Sequence, residues 1–349
     1  MELIDEDLEQ IVDSTLDIWE SLRRQCIFIT GGTGFFGIWL VNSFLKANRR
    51  LKLEAKVILL TRDKNALLDR FPELIYASEI TLWEGDVVNF DFPEIGIDYI
   101  IHAAVDADDR IIYGKPLLTF DTIVNGTRRV LDLSVQKNVK SILIISSGAV
   151  YGPQPSHISH INENYNSAPN VLLSSSYAEG KRIAEFLGSV YNSKHGIPVK
   201  IARCFAFVGP YLPLNKHYAI GNFIDNVIKG QDITITSDGT PRRSYMYPTD
   251  LVIWLWKILI KGKSTYPYNV GSEEDFSLLE IATAVAELSD KDISVNVIKK
   301  SDANVSINRY VPSTERIRND LGLVAYFGLK NSIRKTLAFY EKLDRRALT

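Results

Sequence analysis

The sequence predicts an α/β fold in which a doubly wound parallel sheet is followed by a smaller, mixed C-terminal lobe. Short apolar segments typical of buried strands alternate with helical segments across residues 25–203, which favours parallel strands with helices on both faces. The first strand runs directly into a glycine-rich turn that opens a helix. Beyond residue 203, prolines interrupt a mixture of helices and short strands. The six predicted strands span residues 25–30, 56–60, 80–83, 99–102, 141–145 and 199–203.

The composition is typical of a soluble globular protein. The chain has 349 residues, of which 46% are hydrophobic and 23% charged, enough for one large unit or two domains. A net charge of −2 gives no electrostatic reason to expect nucleic acid or an anionic membrane as a partner. The two cysteines lack metal-ligand spacing, so we predict a reducing compartment and no metal site.

The N-terminal residues predict a helix and carry no targeting signal. Apolar residues recur at helical spacing over residues 4–22, so we expect an amphipathic helix that packs on the main body. The acidic residues of this stretch are opposite in charge to a signal peptide. The longest apolar run, residues 251–260, is too short to span a bilayer and predicts a buried helix. By elimination, we predict a cytoplasmic protein without membrane contact.

The glycine-rich turn between the first strand and the first following helix predicts a dinucleotide site of Rossmann type. Glycine permits the tight turn, and it lets backbone N–H groups approach a pyrophosphate at the helix N-terminus. The predicted contacts are Gly31, Thr33, Gly34, Phe35, Phe36 and Gly37.

The end of the second strand bears on the choice between NAD and NADP. An acidic residue there would bind a ribose 2′-OH, whereas an arginine would suit a 2′-phosphate. Thr61 stands where the acid is expected and Arg62 follows it, which slightly favours NADP. Asp63 keeps NAD open if the strand ends two residues later.

Two further segments are predicted to line the cofactor. Asp86, followed by Val87, could accept from the adenine amino group or could serve only in a turn. Ala103 and Ala104 end the fourth strand with small side chains that leave room for a flat cofactor, and His102 before them is expected to be a core histidine.

Tyr177 and Lys181 form the candidate catalytic pair. A spacing of four residues places both on one face of a helix. An ammonium group near a phenol favours the phenolate, so we expect a lowered pKa for Tyr177 and an acid/base role. Ser147, which follows the fifth strand, could hold the reacting oxygen for Tyr177.

In their order and spacing, these motifs resemble the extended short-chain dehydrogenase/reductases, specifically the nucleotide-sugar epimerase/dehydratase group. The resemblance covers about residues 25–325. It implies that Tyr177 is the acid/base, that Lys181 binds the nicotinamide ribose and that Ser147 binds a sugar hydroxyl. It also implies a homodimer in which the tyrosine-bearing helix and its neighbour form a four-helix bundle.

The same resemblance implies a nucleotide-diphosphate sugar as the substrate. Arg243 and Arg309 resemble the arginines that bind the diphosphate, and Asn222 lies in a segment that resembles the loop around the nucleotide base. Two positions depart from the family pattern. Ala206 replaces an asparagine expected to contact the nucleotide sugar, and residues 122–123 replace one near the cofactor.

The residues after Ser147 bear on the reaction. Sugar 4,6-dehydratases of the family need an Asp-Glu pair there, but this chain has Gly148 and Ala149, and neither can transfer a proton. We therefore favour a C4 epimerase. The alternative is an NADPH-dependent reductase of a 4-keto sugar. A 4,6-dehydratase is a less favoured hypothesis, and a non-catalytic nucleotide-binding protein is the least favoured.

These motifs divide the chain into three predicted parts. An N-terminal helical extension covers residues 1–24, and the dinucleotide-binding domain covers 25–203 together with about 248–272. The substrate-binding lobe covers residues 204–247 and 273–349.

Overall fold

A seven-stranded parallel sheet forms the centre of the protein, in the order β3-β2-β1-β4-β5-β6-β9. The computed structural model describes residues 4–71, 77–104, 114–214, 218–300 and 307–347. Within these residues the strands are β1 (Cys26–Thr30), β2 (Lys56–Thr61), β3 (Ile80–Glu84), β4 (Tyr99–His102), β5 (Ser141–Ser147), β6 (Val199–Cys204), β7 (Ile233–Ile235), β8 (Arg242–Arg243), β9 (Pro267–Val270), β10 (Phe276–Ser277), β11 (Val295–Val297) and β12 (Arg309–Tyr310).

Helices cover both faces of this sheet, which confirms the predicted fold class. On one face α3 and α8 pack together with the N-terminal helices, and on the other face α5 packs against α6. The predicted buried helix at residues 251–260 is part of α8. The helices of the described residues are α1 (Asp5–Ser14), α2 (Leu16–Trp19), α3 (Phe35–Leu51), α4 (Lys64–Arg70), α5 (Pro116–Lys137), α6 (Ser176–His195), α7 (Ala219–Ile228), α8 (Pro248–Lys261), α9 (Leu278–Glu287), α10 (Glu315–Leu321) and α11 (Leu329–Ala347).

All six predicted strands form, and β9 is an additional strand that the sequence pattern did not reveal. β9 has only four residues, begins with Pro267 and contains Asn269, a composition that argues against a strand. It lies at the edge of the sheet beside β6, where a proline at the first position is tolerated because one side of the strand needs no ladder partner.

The N-terminal stretch differs from the single helix predicted for residues 4–22. It divides at Thr15 into α1 and α2, followed by a 3₁₀ turn at residues 20–22. The Thr15 hydroxyl donates to the Ile11 carbonyl at 2.5 Å and accepts from Trp19 Nε1 at 2.9 Å. This side chain competes for the backbone groups of the helix, a common effect of threonine. Both helices still bury their apolar faces, and the Trp19 ring lies 5.1 Å from that of Trp256 on α8.

The smaller C-terminal lobe is mixed, as predicted. It contains a three-stranded sheet, β10-β8-β12, and a parallel pair, β11-β7. Helices α7, α9 and α11 enclose a separate apolar core around Ile224, Ile281 and Ile333. Tyr310 on β12 reaches Ser147 at the carboxyl end of β5, so the lobe lies over that end of the sheet, where ligands bind in open α/β folds.

None of the described helices is both long and apolar enough to cross a bilayer.

Asp250 is a buried carboxyl group that joins α8 to the chain before α11. It is fully buried. Its Oδ2 accepts from the backbone N–H groups of Tyr326 at 3.1 Å and Phe327 at 3.0 Å. Burial raises the pKa of Asp250 from its ordinary 3.8 to about 6, and these N–H bonds act in the opposite direction.

We predict that Asp250 makes the protein less stable as the pH rises from about 4 to about 6. In this range the folded state binds the proton more tightly than the unfolded state, so ionisation costs up to about 3 kcal/mol of the free energy of unfolding. Melting temperatures of the wild type and of Asp250→Asn, measured from pH 4 to pH 8, test this. The advantage of the wild type over the variant should shrink with rising pH, and a constant or growing advantage would contradict the assignment.

Candidate active site

The turn between β1 and α3 is shaped by close backbone contacts. Gly31 has a φ of +74°, and a Cβ there would lie 2.7 Å from the carbonyl carbon of Ala103. A Cβ on Gly37 would lie 2.3 Å from the Gly31 carbonyl oxygen. Any side chain at these two positions would push β4 or α3 away from the turn.

The N-terminus of α3 has the geometry of an anion site. Gly34 is the residue before the helix, its backbone is extended, and no side chain caps the first turn. A Cβ on Gly34 would meet only the Gly31 carbonyl oxygen, at an ordinary 3.5 Å, so packing does not require glycine here. Because Gly34 has no side chain, the first backbone N–H groups of α3 stay accessible, and such a helix N-terminus suits a bound pyrophosphate. Thr33 lies in the same turn, and the rings of Phe35, Phe36 and Phe207 pack together.

The position at which β2 ends argues against Asp63 as a contact to the cofactor ribose. The strand ends at Thr61, whose hydroxyl donates to the Asp63 carbonyl at 3.0 Å. The Asp63 carboxylate accepts from the Ala66 N–H at 3.0 Å and caps α4. Arg62 is therefore the exposed charged residue that directly follows the strand.

Asp86 performs a turn role after β3, one of the two alternatives that the sequence left open. Its Oδ1 accepts from the Val88 N–H at 3.0 Å. Val87 next to it is buried and packs beside Gly126 on α5, where a Cβ would lie 3.0 Å from the Val87 side chain. The structure places both residues at the carboxyl edge of the sheet.

The end of β4 is held by a hydrogen-bonded histidine. His102 Nδ1 lies 2.9 Å from the Thr30 hydroxyl, and its Nε2 lies 3.1 Å from the Thr127 hydroxyl. Burial lowers the pKa of His102 to about 3, so the ring is neutral, as expected for a core histidine. Thr30 also accepts from the Ala104 N–H at 3.1 Å, which fixes Ala103 and Ala104 beside Gly31.

Ser147, Tyr177 and Lys181 meet at the carboxyl end of β5. Ser147 is the last residue of β5, and Tyr177 and Lys181 occupy successive turns at the start of α6. The ammonium group of Lys181 donates to the Ile145 carbonyl at 2.7 Å and lies 5.8 Å from the centre of the Tyr177 ring. Burial lowers the pKa of Lys181 to about 8.

The lowered pKa expected for Tyr177 is wrong for the protein alone. Burial raises the pKa of Tyr177 above its ordinary value, and the nearby Ser147 hydroxyl only partly opposes this effect. Removal of the phenol from water outweighs any stabilisation of the phenolate by Lys181. Tyr177 is therefore a neutral phenol in this structure, near the serine predicted to hold the reacting oxygen.

Tyr310 is a site residue that the sequence did not reveal. Its hydroxyl lies 3.4 Å from the Ser147 hydroxyl, and its ring stacks 4.7 Å from that of Phe205. Burial raises the pKa of Tyr310 to about 12. The only sequence signal was its position beside Arg309, because the contact joins the distant ends of two different lobes.

The substrate-side arginines occupy different environments. Arg242 donates to Asp275 at 2.7 Å, and Arg309 forms an ion pair with the same carboxylate. Arg243 donates instead to the Arg242 carbonyl at 2.7 Å, and burial lowers its pKa. Arg243 is close enough to Tyr310 to affect the pKa of that phenol.

The structure thus brings Arg243 and Tyr310 to the Ser147–Tyr177 pair, whereas Asp275 anchors Arg309 beside them. Asn222 lies on the first turn of α7 with an exposed side chain. Ala206 precedes Phe207, which forms a short bridge with Met246. Among the residues described, no three His, Cys, Asp or Glu side chains form a cluster able to hold a metal ion.

Solved structures share this architecture. The UDP-N-acetylglucosamine 4-epimerase of Methanobrevibacter ruminantium superposes with a TM-score of 0.79 at 19% identity, covering 92% of this chain and 99% of that one. The UDP-glucuronic acid 4-epimerase of Bacillus cereus, solved with UDP-glucuronic acid and NAD, gives 0.77 at 22% identity, covering 91% and 100%. At such identities these similarities establish the fold alone.

Sequence comparison establishes the family. UDP-glucuronic acid decarboxylase 6 of Arabidopsis thaliana is 31% identical over 276 residues, which cover 79% of this chain and 77% of the relative. The model of the NAD dependent epimerase/dehydratase family matches residues 27–271, a region that includes the glycine-rich turn, Ser147, Tyr177, Lys181 and Arg243. By this match and by the Arabidopsis relative, the chain belongs to the NAD-dependent epimerase/dehydratase family.

Proposed function

We propose that the protein is a nucleotide-diphosphate-sugar epimerase that reversibly oxidises the sugar at C4. The observation that carries this proposal is the meeting of Ser147 at the end of β5 with Tyr177 and the buried Lys181 at the start of α6, at the carboxyl end of a sheet whose first turn suits a dinucleotide. In this arrangement one phenol can exchange a proton with one sugar oxygen, and no acid/base group adjoins it at residues 148–149.

The chain's own residues have distinct roles in this proposal. Ser147 and Tyr177 hold the C4 oxygen between their two oxygen atoms. After Tyr177 has lost its own proton to solvent, its phenolate takes the proton of the C4 hydroxyl during oxidation and returns it during reduction. Lys181, whose pKa burial lowers to about 8, is placed to hold a ribose hydroxyl and to support the phenolate once Tyr177 has lost its proton. The nicotinamide, when bound, supplies the hydride acceptor, and the turn at residues 31–37 with Asp86 and Ala103 would hold the dinucleotide.

Packing at Gly148 supports redox chemistry at one carbon without loss of water. A Cβ on Gly148 would lie 2.6 Å from the Phe205 ring, so an acidic side chain at this position would require that ring to move. Elimination across C5 and C6 needs a base and an acid at these carbons, and the residues after Ser147 provide neither. Dehydration is therefore the less favoured reaction of this family.

We propose NAD as the cofactor. NAD is the dinucleotide in the family's name and in the Bacillus cereus structure. The preference for NADP inferred from Arg62 has no support from these comparisons, although the exposed guanidinium after β2 would suit a 2′-phosphate.

Two other reactions use the same groups for hydride and proton transfer at C4. The exposed Arg62 favours an NADPH-dependent reductase of a 4-keto sugar. Such an enzyme would consume NADPH and release the oxidised cofactor in each turnover. The plant relatives favour a third outcome, because oxidation of a hexuronic acid at C4 would create a β-keto acid that readily loses CO₂. These alternatives differ in product rather than in the arrangement of Ser147, Tyr177 and Lys181.

We also propose a homodimer built on α5 and α6. Apolar side chains are exposed along the outer faces of these two helices, including Leu117 (71% exposed), Leu118 (51%), Phe186 (63%) and Val190 (38%). Neighbouring residues 171–173, just before α6, add three exposed apolar side chains. An apolar surface of this kind on adjacent helices is typical of a protein interface.

We predict that Tyr177→Phe lowers kcat by about 10²- to 10⁴-fold, the usual contribution of a positioned acid/base group. The ring and its packing remain, so the dissociation constant for NAD should change little. Steady-state kinetics and NAD titration provide the measurement. Tyr326→Phe, which removes a hydroxyl from an exposed tyrosine (61% exposed), is the matched control. Wild-type turnover by Tyr177→Phe would refute the catalytic role.

We predict that purified protein converts a UDP-hexose or UDP-hexuronic acid to its C4 epimer without net consumption of cofactor. Chromatography with mass spectrometry identifies the product, which should have the substrate's mass but a different retention time. A product lighter by the mass of CO₂ would support decarboxylation instead. Stoichiometric NADPH consumption on a 4-keto sugar would support the reductase. Mass spectrometry of co-purified nucleotides tests the cofactor, since an epimerase retains NAD(H).

We predict that Phe186→Asp converts a dimer into a monomer, because an aspartate at the centre of an apolar interface would be buried without a partner. Sedimentation velocity measures the mass. Val324→Asp changes another exposed apolar residue (44% exposed) away from these helices and should leave the dimer intact. A wild type that sediments as a monomer would remove the basis for the dimer.

A further inference from the structure

The N-terminal helix α1 lies outside the matched family region, residues 27–271, and carries a buried carboxylate. Leu8, Ile11 and Val12 of α1 are at most 1% exposed and belong to the core on one face of the sheet. Asp7 lies beside them and is only 3% exposed. A buried charge on the apolar face of a helix requires a partner, and the partners identify what α1 contacts.

Asp7 joins three separate parts of the chain. Its Oδ2 accepts from the hydroxyl of Tyr247 at 2.8 Å, and its Oδ1 pairs with the ammonium group of Lys335 at 2.8 Å. Tyr247 immediately precedes α8, and Lys335 belongs to the C-terminal helix α11. One carboxylate therefore connects the N-terminal extension with the segment that enters α8 and with the smaller lobe.

Tyr247 is the end of the segment that carries Arg243. Residues 242–247 run from β8 to α8. The backbone N–H of Met246 donates to the Ala206 carbonyl at 3.0 Å, and the Met246 carbonyl accepts from the Val208 N–H at 3.1 Å. The Tyr247 ring packs 4.7 Å from that of Phe327. Asp7 thus fixes one end of a short, extended segment whose other end holds Arg243 near the catalytic groups.

The same tyrosine also contacts the helix that opens at the cofactor turn. Its ring lies 6.1 Å from that of Trp39 on α3, and Trp39 Nε1 donates to the Pro210 carbonyl at 3.0 Å. The surface ion pairs of Lys46 with Asp5 at 2.9 Å and with Glu9 at 2.6 Å hold α1 on α3. The extension therefore packs on α3, the helix that begins at the cofactor turn, and it is hydrogen-bonded through Asp7 to Tyr247 at the end of the segment that carries Arg243.

We propose that Asp7 is a positioning residue for the nucleotide-diphosphate sugar. Through Tyr247 it sets the position of residues 242–247, and hence of the Arg243 guanidinium that faces the diphosphate. This inference rests on the proposed function in that it takes a nucleotide diphosphate as the ligand of Arg243. A buried ion pair usually adds little stability compared with apolar residues of the same size. Asp7 instead supplies what an apolar residue cannot, a directional bond to the Tyr247 hydroxyl.

Two variants weaken or delete this bond. Asp7→Asn keeps the size of the side chain but replaces the charged acceptor, and its pairing with Lys335, by a neutral amide. Tyr247→Phe keeps the ring packed on Phe327 while deleting the hydroxyl. Each should raise the dissociation constant for UDP, measured by calorimetry, by about tenfold, the effect expected for one bond to a charged group. The dissociation constant for NAD should stay within about twofold of wild type, because the cofactor turn is held by other contacts.

Asp17→Asn is the matched control. Asp17 lies on the same extension and pairs with Lys257 at 3.0 Å, but it is half exposed and does not contact residues 242–247. This variant should bind UDP and NAD like wild type. Hydrogen exchange of residues 242–247 gives a readout that needs no ligand, and it should be faster in Asp7→Asn than in Asp17→Asn.

The possible results separate the two proposals. If Asp7→Asn and Tyr247→Phe lower the melting temperature but leave UDP affinity and exchange at residues 242–247 as in Asp17→Asn, Asp7 is only a stabilising residue and the inference is overturned. If wild type fails to bind UDP, the proposed ligand is wrong, and the exchange data still decide whether Asp7 positions the Arg243 segment. If Asp7→Asn fails to fold, Tyr247→Phe decides both points.

Discussion

The hydrogen bond from the buried Lys181 ammonium group to the Ile145 carbonyl links the two elements on which the candidate site depends. Ile145 lies two residues before Ser147 at the end of β5, and Lys181 lies one helical turn after Tyr177 on α6. A buried amine without a partner is strongly unfavourable, so α6 is stabilised in the one position on β5 at which this bond forms. That position places the Tyr177 phenol beside the Ser147 hydroxyl.

Burial also explains the protonation states around this bond. Removal from water favours the neutral form of every ionisable group, which raises the pKa of Tyr177 and lowers that of Lys181. The phenol is thus neutral in the protein alone and has to lose its proton before it can accept one, whereas the lysine, with a pKa of about 8, stays mostly protonated at neutral pH. Charge is kept at the other side of the site, where Asp275 pairs with Arg242 and Arg309 and Arg243 lies close enough to Tyr310 to affect its pKa.

Local sequence patterns predicted the features that depend on local geometry. The glycine spacing at residues 31–37 identified the turn because steric limits act within a few residues, and the four-residue spacing of Tyr177 and Lys181 identified their common helix face. Tyr310 and Asp7 escaped prediction because each acts through a contact with a residue far away in the chain. The pKa of Tyr177 was predicted with the wrong sign, since spacing reveals a neighbouring charge but does not reveal burial.

The contact between Gly148 and Phe205 also limits how this site can change over evolutionary time. An aspartate at residue 148 would collide with the aromatic ring at 2.6 Å, and the same ring supports Tyr310 against Ser147. A route from this site to one that eliminates water therefore has to move or replace the Phe205 ring when it changes Gly148. Because that ring also packs on Tyr310, such a change alters the support of Tyr310 at the same time. The gain of an acid after Ser147 and the position of Tyr310 are thus coupled through one aromatic ring.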